Sequence, residues 1–176
     1  MQKINKGKEP EKLTRWKHRN PTNCYKNLTE KERQSIRQIC LKEQYYLCAY
    51  CCYSISMEDS HNEHIQPQSI ESKQTLNFHN IVASCEKPNQ CGKAHGKKIM
   101  SLTPLMIECE TELKYYLSGK VKGTTERATN TINILNLGDG NKALINKRKQ
   151  LVDALIYRYG ERPENCNYWM MICYKY

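Results

Sequence analysis

No run of this 176-residue sequence approaches the roughly 18 consecutive apolar residues of a membrane span, so no membrane association is expected. Apolar residues of any kind are scarce, at 39% with a mean hydropathy of −0.81. A chain so poor in core material needs a staple, a partner, or both. The opening ten residues carry no apolar stretch of signal-peptide type, which argues against a secreted disulfide scaffold despite the ten cysteines. The expectation is a reducing cytosol, with some thiols on metal and the rest reduced. No internal repeat occurs, nor any low-complexity tract beyond the Lys-rich start. Acidic residues are outnumbered, 18 Asp and Glu against 28 Lys and Arg, giving a net charge of +10. That balance fits a polyanionic partner, because Lys and Arg on phosphates release counterions. On charge alone, a basic protein without specific nucleic-acid binding fits equally well.

The pattern predicts an α+β chain, mainly helical, in three parts: a basic N-terminal arm (1–27), a core with a leading helix (28–103) and a C-terminal helical region (104–176). The arm reads as extended, with one helical turn and Leu13 and Trp16 as anchors. A capping box, Thr29 with Glu32 three residues on, opens a helix running to about Tyr46. Residues 53–57 and 62–65 read as short strands, 75–83 as a loop and short helix, and 93–100 as a basic helix. Residues 118–123 read as a turn with a small hairpin. Two amphipathic helices follow, over 125–135 and 144–159, separated by the glycine-rich Asn136-Leu-Gly-Asp-Gly140. Residues 161–176 are aromatic and Cys-rich and take no assignment.

Residues 48–98 concentrate the chemistry. Cys48-x2-Cys51 and Cys85-x5-Cys91 offer four thiolates to one tetrahedral zinc, since a short turn brings two sulfurs within bonding distance of one ion. Four free thiols are the alternative. Cys24, Cys40, Cys52, Cys109, Cys166 and Cys173 read as buried or partly buried thiols. Between the thiol pairs lie Glu63-His64, then Asn80. Neighbours on a strand point to opposite faces, so one of the pair can bind a metal while the other meets a substrate phosphate. A carboxylate suits a hard divalent ion, and an imidazole neutral near pH 7 suits proton removal from water. The reading is a metal-dependent nuclease. His61 and His79 read as solvated or structural.

Cys-x2-Cys, Glu-His-Ile-x-Pro, Asn-Ile, and then Cys with His-x-x-Lys resemble the HNH endonuclease family, whose core is a zinc-stapled ββα-metal fold. The likeness extends to the PtuB nucleases of Septu-type anti-phage systems. It takes in residues 3–10, the Gln44-x3-Cys48-x-Tyr50-Cys51 turn and residues 128–137 with Leu144 and Arg148. The resemblance implies a general-base role for His64 and a divalent-ion ligand at Glu63. It also implies a loop-propping asparagine at Asn80 and a second ion ligand at His95. Cys48, Cys51, Cys85 and Cys91 match the structural zinc ligands, and the catalytic ion is Mg2+ or Mn2+. In the family the last ligand directly follows the second cysteine, whereas here Gly92-Lys-Ala94 intervene, which leaves Asn89 as a competing candidate. Lys93, Lys97, Lys98 and the amino-terminal lysines are the expected phosphate contacts.

Such systems are bacterial and cytoplasmic, and they pair the nuclease with an ATPase, PtuA, in some cases within a retron complex. The substrate is DNA or RNA, tRNA included. The competing readings are a zinc-stapled module that binds nucleic acid without cutting it, and a structural adaptor whose thiols only hold the fold. Glu63 and His64 separate these from the nuclease, because binding needs neither.

Overall fold

The computed structural model describes residues 1–159. The tail over 161–176, with Cys166 and Cys173, lies outside the described residues. The chain is α+β, with five helices and two small antiparallel sheets among the described residues. None of these helices is long and apolar enough to cross a membrane.

The amino-terminal segment is more ordered than an arm with one turn. Helix α1 spans Glu11–Arg19, buries Leu13 and rests Trp16 against the core. Its first turn closes on the Pro10 carbonyl, which accepts from Leu13 and Thr14 at 2.9 and 3.1 Å. Ahead of it, residues 1–10 lie along the core. The Ile4 amide donates to the Pro104 carbonyl at 2.7 Å. The Lys6 ammonium is buried, 2.6 Å from Glu43 and 3.6 Å above the Phe78 ring. Lys6 is therefore no phosphate contact, contrary to the expectation for the amino-terminal lysines; its charge is already neutralised inside the fold.

Helix α2 (Glu30–Glu43) starts where its capping box places it: the Glu32 carboxylate accepts from the Thr29 amide at 3.0 Å and from the Thr29 hydroxyl. It stops before Tyr46 because Tyr45 and Tyr46 take left-handed φ values of 52° and 59°. Their amides turn back to the Lys42 and Leu41 carbonyls at 3.2 and 2.7 Å, the paired closure of a Schellman motif.

Strand β1 (Ser60–His64) pairs antiparallel with β2 (Ile81–Cys85), with Glu63 opposite Val82 and His64 opposite Ile81. Residues 53–57 form no strand; only an isolated Leu47–Ser54 bridge occurs there. The segment read as a loop and short helix does contain a 3-10 turn, Phe78–Asn80, but then runs directly into β2. Every residue of β2 is buried, so the strand lacks the alternation by which a half-exposed strand is recognised. Helix α3 is a single turn, Gly92–His95, ended by Gly96 at φ 58°, rather than a helix to Met100.

Beyond it, β3 (Leu113–Tyr115) and β4 (Val121–Gly123) form the expected hairpin, followed by α4 (Glu126–Ile134) and α5 (Lys142–Tyr159). The Thr125 hydroxyl accepts from the Ala128 amide, and the Asn141 side chain from the Leu144 amide, at 3.2 and 3.0 Å, which sets both helix starts. One apolar cluster runs from Met1 to Leu144, so the three parts expected from sequence share a core. Cys40 and Cys109 are buried and Cys52 is half-buried, but Cys24 is exposed, donating from Sγ to Asn27 at 3.3 Å.

Arg148 ties α5 to the rest. It is 2% exposed and donates to the Leu137 carbonyl at 2.8 Å and the Gly119 carbonyl at 3.4 Å, with its guanidinium over Tyr115. Gly119 has φ 80°, and a Cβ there would stand 2.2 Å from the Ile145 carbonyl oxygen, so the turn meets α5 backbone to backbone. Replacing Arg148 by Ala strands a buried carbonyl and empties the space beneath Tyr115. The expected loss is about 2–3 kcal/mol, read as a lower urea midpoint at unchanged slope.

Candidate functional site

The four sulfurs of Cys48, Cys51, Cys85 and Cys91 are buried and lie within 4.8 Å of one another. A tetrahedral ion with bonds of about 2.3 Å holds its sulfurs about 3.8 Å apart, so modest contraction would seat one. The group could hold a metal ion such as zinc. The four thiols come from three local devices. Cys48 and Cys51 occupy a tight turn closed by the Cys52 amide on the Cys48 carbonyl at 3.0 Å. Cys85 ends β2, and its amide donates to the Cys48 sulfur at 3.4 Å. Cys91 precedes α3 at φ 53°, with its amide on the Leu135 carbonyl at 2.9 Å.

Gln44 brings the turn to the strand. Its buried amide donates to the Ala83 carbonyl at 2.8 Å and accepts from the Ala83 amide at 2.7 Å. The side chain thus stands in for a neighbouring strand along the edge of β2, and the Ala49 amide adds a 3.0 Å bond to the same carbonyl.

Within the cluster, hydrogen bonds from Cys48, Cys51 and Cys91 hold the Cys85 thiol far below the usual thiol range. Burial, reinforced by the other thiols, pushes Cys91 up. A bound cation would favour thiolate at each of the four.

Glu63 and His64 occupy opposite faces of β1. Glu63 faces α3, where its Oε1 lies 2.6 Å from His95 Nδ1. His95 is fully buried, and its Nε2 has no hydrogen-bond partner. Burial raises the Glu63 carboxyl, but His61 and His95 together outweigh it, so the group stays below the ordinary carboxylate range. Tyr50, also fully buried with an unpartnered hydroxyl, packs its ring 6.4 Å from that of His95. Asn89, the competing candidate, lies in an exposed loop at φ 52°, and its carbonyl accepts from Asn136.

His64 faces α2, edge-on to Tyr25 at 4.6 Å between ring centres. Its Nε2 is 2.9 Å from the Thr75 carbonyl, which accepts only, so the ring proton resides on Nε2. Nδ1 is then a lone pair, and the Gln68 amide donates to it at 3.2 Å. Burial lowers the His64 pKa, so the ring is neutral at pH 7. Asn80 fixes the chain just after the ring: its Oδ1 accepts from the Gln66 amide at 2.7 Å, and its Nδ2 donates to the Gln66 and Gln74 carbonyls at 3.1 and 3.3 Å.

Lys93, Lys97 and Lys98 are exposed around α3. The Lys93 ammonium lies 2.7 Å from Glu86, and Lys98 donates to the Ala94 carbonyl at 3.4 Å. His79 is exposed, but His61 is not solvated; it stands beside Glu63. Its position two residues ahead of Glu63 on a strand was a readable sign that they share a face. Nothing in the sequence marks Gln68 or the Thr75 carbonyl, whose roles arise only when the 65–77 loop folds over His64.

Chain purified without chelator is expected to carry about one zinc by elemental analysis. Cys85→Ser should lose the ion and lower the unfolding temperature, because a structural metal adds its binding free energy to folding. No protein-family model and no curated protein matches this chain.

Proposed function

We propose that this chain is a metal-dependent endonuclease of the HNH type, hydrolysing phosphodiester bonds of DNA or RNA. The observation that carries the reading is the junction at the end of β1. A neutral histidine with an assigned lone pair directly follows a carboxylate paired with a histidine from a helix anchored beside the thiol cluster. The order of two antiparallel strands, then a short helix carrying the second histidine, supports a ββα-metal core with structural zinc on the four thiols.

The roles follow from the contacts. Thr75 holds the Nε2 proton of His64, which leaves Nδ1 to take a proton. The Gln68 amide now donates to that nitrogen; a water in its place would donate the same way and become the attacking nucleophile. Asn80 keeps the following turn, and with it the ring, in one orientation. Glu63 and His95 would hold a divalent ion, Mg2+ or Mn2+, whose charge stabilises the phosphorane-like transition state and the leaving oxygen. Lys97 and Lys98, and Lys93 once released from Glu86, hold flanking phosphates. These groups read backbone geometry, so little sequence preference is expected.

His64 is only 5% exposed. Access to Nδ1 needs the Gln68 segment to move, which suits a nuclease held inactive until a partner engages it. With the resemblance to Septu-type systems, this makes an anti-phage effector working with a PtuA-like ATPase, retron-linked in some systems, the context we infer.

The test incubates the zinc-loaded chain, alone and with a candidate ATPase partner, with DNA and with RNA in Mn2+ or Mg2+. His64→Ala should cut at least about 100-fold more slowly while keeping its zinc and unfolding temperature. Cleavage at the original rate by that variant would sink the assignment. Retained binding with no cleavage by any form would favour the non-catalytic module.

A further inference from the structure

A groove of about 450 Å³ runs between the loop that folds over His64 and the stretch after α3. Its size is within the roughly 300–1,000 Å³ of small-ligand sites. Its floor is apolar: Ile65 and Met100 are each 3% exposed. Two exposed apolar side chains border it, Ile70 from the loop and Met106 from the later stretch. His79 adds an exposed ring, set by an edge-on contact with Phe78 at 6.2 Å between ring centres.

Amides edge this apolar space. Gln66 is held through its backbone by Asn80, and its side-chain amide has no partner among the described residues. Gln74 accepts from Asn77 at 2.5 Å through Oε1, which leaves its Nε2 hydrogens for a ligand. No lysine or arginine lines the groove, whereas Glu71 does, so a phosphate is not what it takes. Cations stand just outside. Lys73 lies between Glu71 and Gln74 in the chain, Lys97 and Lys98 come shortly before Met100, and all three are exposed.

Apolar walls, an exposed ring and amides at the edge, with no cation inside, match a nucleobase, which has two apolar faces and a polar rim. An aliphatic side chain of a protein partner would cover the floor but leave the amides unpaired. Inside a duplex the faces of a base are stacked on its neighbours and cannot meet these walls, so the occupant is an unpaired base. The groove is also continuous with the candidate catalytic residues. Gln66 follows His64 by two positions, and Asn80 both lines the groove and fixes that turn.

We propose that this groove binds one unpaired nucleobase, with His79 as its stacking surface and the outer lysines on the flanking phosphates, and so directs the chain to single-stranded or looped nucleic acid. The base-binding part stands on the groove itself; its place beside the scissile phosphate rests on the nuclease reading above.

The experiment uses the zinc-loaded full chain without added Mg2+ or Mn2+, so that binding and not cleavage is read. Fluorescence anisotropy compares a labelled single-stranded oligonucleotide with the duplex of the same sequence at one salt concentration. The wild type should bind the single strand about 10-fold or more tightly than the duplex. His79→Ala should weaken the single strand by about 5-fold or more, with duplex affinity and unfolding temperature unchanged. His79→Phe, which keeps a ring without a charge, should restore it, and Met106→Ala should weaken it in the same direction as His79→Ala. A 5-iodouridine strand irradiated on the wild type should crosslink to a groove residue. Equal affinity of the wild type for both forms, or binding to neither, overturns the site; so does an equal loss on both forms in His79→Ala. Unchanged oligonucleotide binding in both alanine variants, with loss of a candidate ATPase partner, assigns the groove to a protein contact and also overturns it. Those results leave the nuclease reading standing if Mn2+-dependent cleavage persists. Single-strand binding through the groove without cleavage in Mn2+ supports the groove and counts against the nuclease.

Discussion

The convergence of four thiols at the end of β2 is the constraint on which the rest of the site depends. Three separate stretches of chain meet there: the turn after α2, the last residue of β2 and the residue before α3. Helix α3 is a single turn, too short to be stable by itself, and its place is set by Cys91 at its start. Because His95 and Gly92 belong to that turn, the geometry around Glu63 is inherited from the thiols.

Two polar devices carry the same constraint outward. Gln44 satisfies both backbone groups of Ala83 and so fastens α2 and the Cys48 turn to the edge of β2. Ser84, fully buried, accepts from the Gly92 amide at 3.0 Å and lies 3.8 Å from the Cys48 sulfur. The strand, the cluster and the one-turn helix are joined by groups that would be costly to bury unpaired. A chain with little apolar material thereby holds a small sheet in one register, and the register decides which face each side chain meets. A slip of one residue would send Glu63 to α2 and His64 to α3.

That register separates two electrostatic environments. Toward α3, the Glu63 carboxylate lies between the His61 and His95 rings, which hold it below the ordinary carboxylate range. Toward α2, His64 is packed against Tyr25, with one nitrogen held by a carbonyl and the other by an amide. One side holds a buried carboxylate against imidazoles and the other a neutral imidazole. Adjacent residues can serve both because a strand alternates its side chains.

Much of this was legible in the residues. The Thr29–Glu32 capping box, the hairpin near Gly119, the last two helices and the grouping of Cys48, Cys51, Cys85 and Cys91 all depend on short-range chemistry or fixed spacing, which a linear pattern records. Strand β2 escaped notice because burial on both faces removes alternation. Helix α3 was read too long because lysines continue past Gly96, where the backbone turns left-handed. His61 was assigned to a solvated or structural role because a lone histidine says nothing until its neighbours are known. The sequence by itself determined the donor set and the local starts of the helices. Only the tertiary structure decided which imidazole meets Glu63, which nitrogen of His64 carries the proton and that Lys6 is buried, because those depend on contacts that form only when the chain folds.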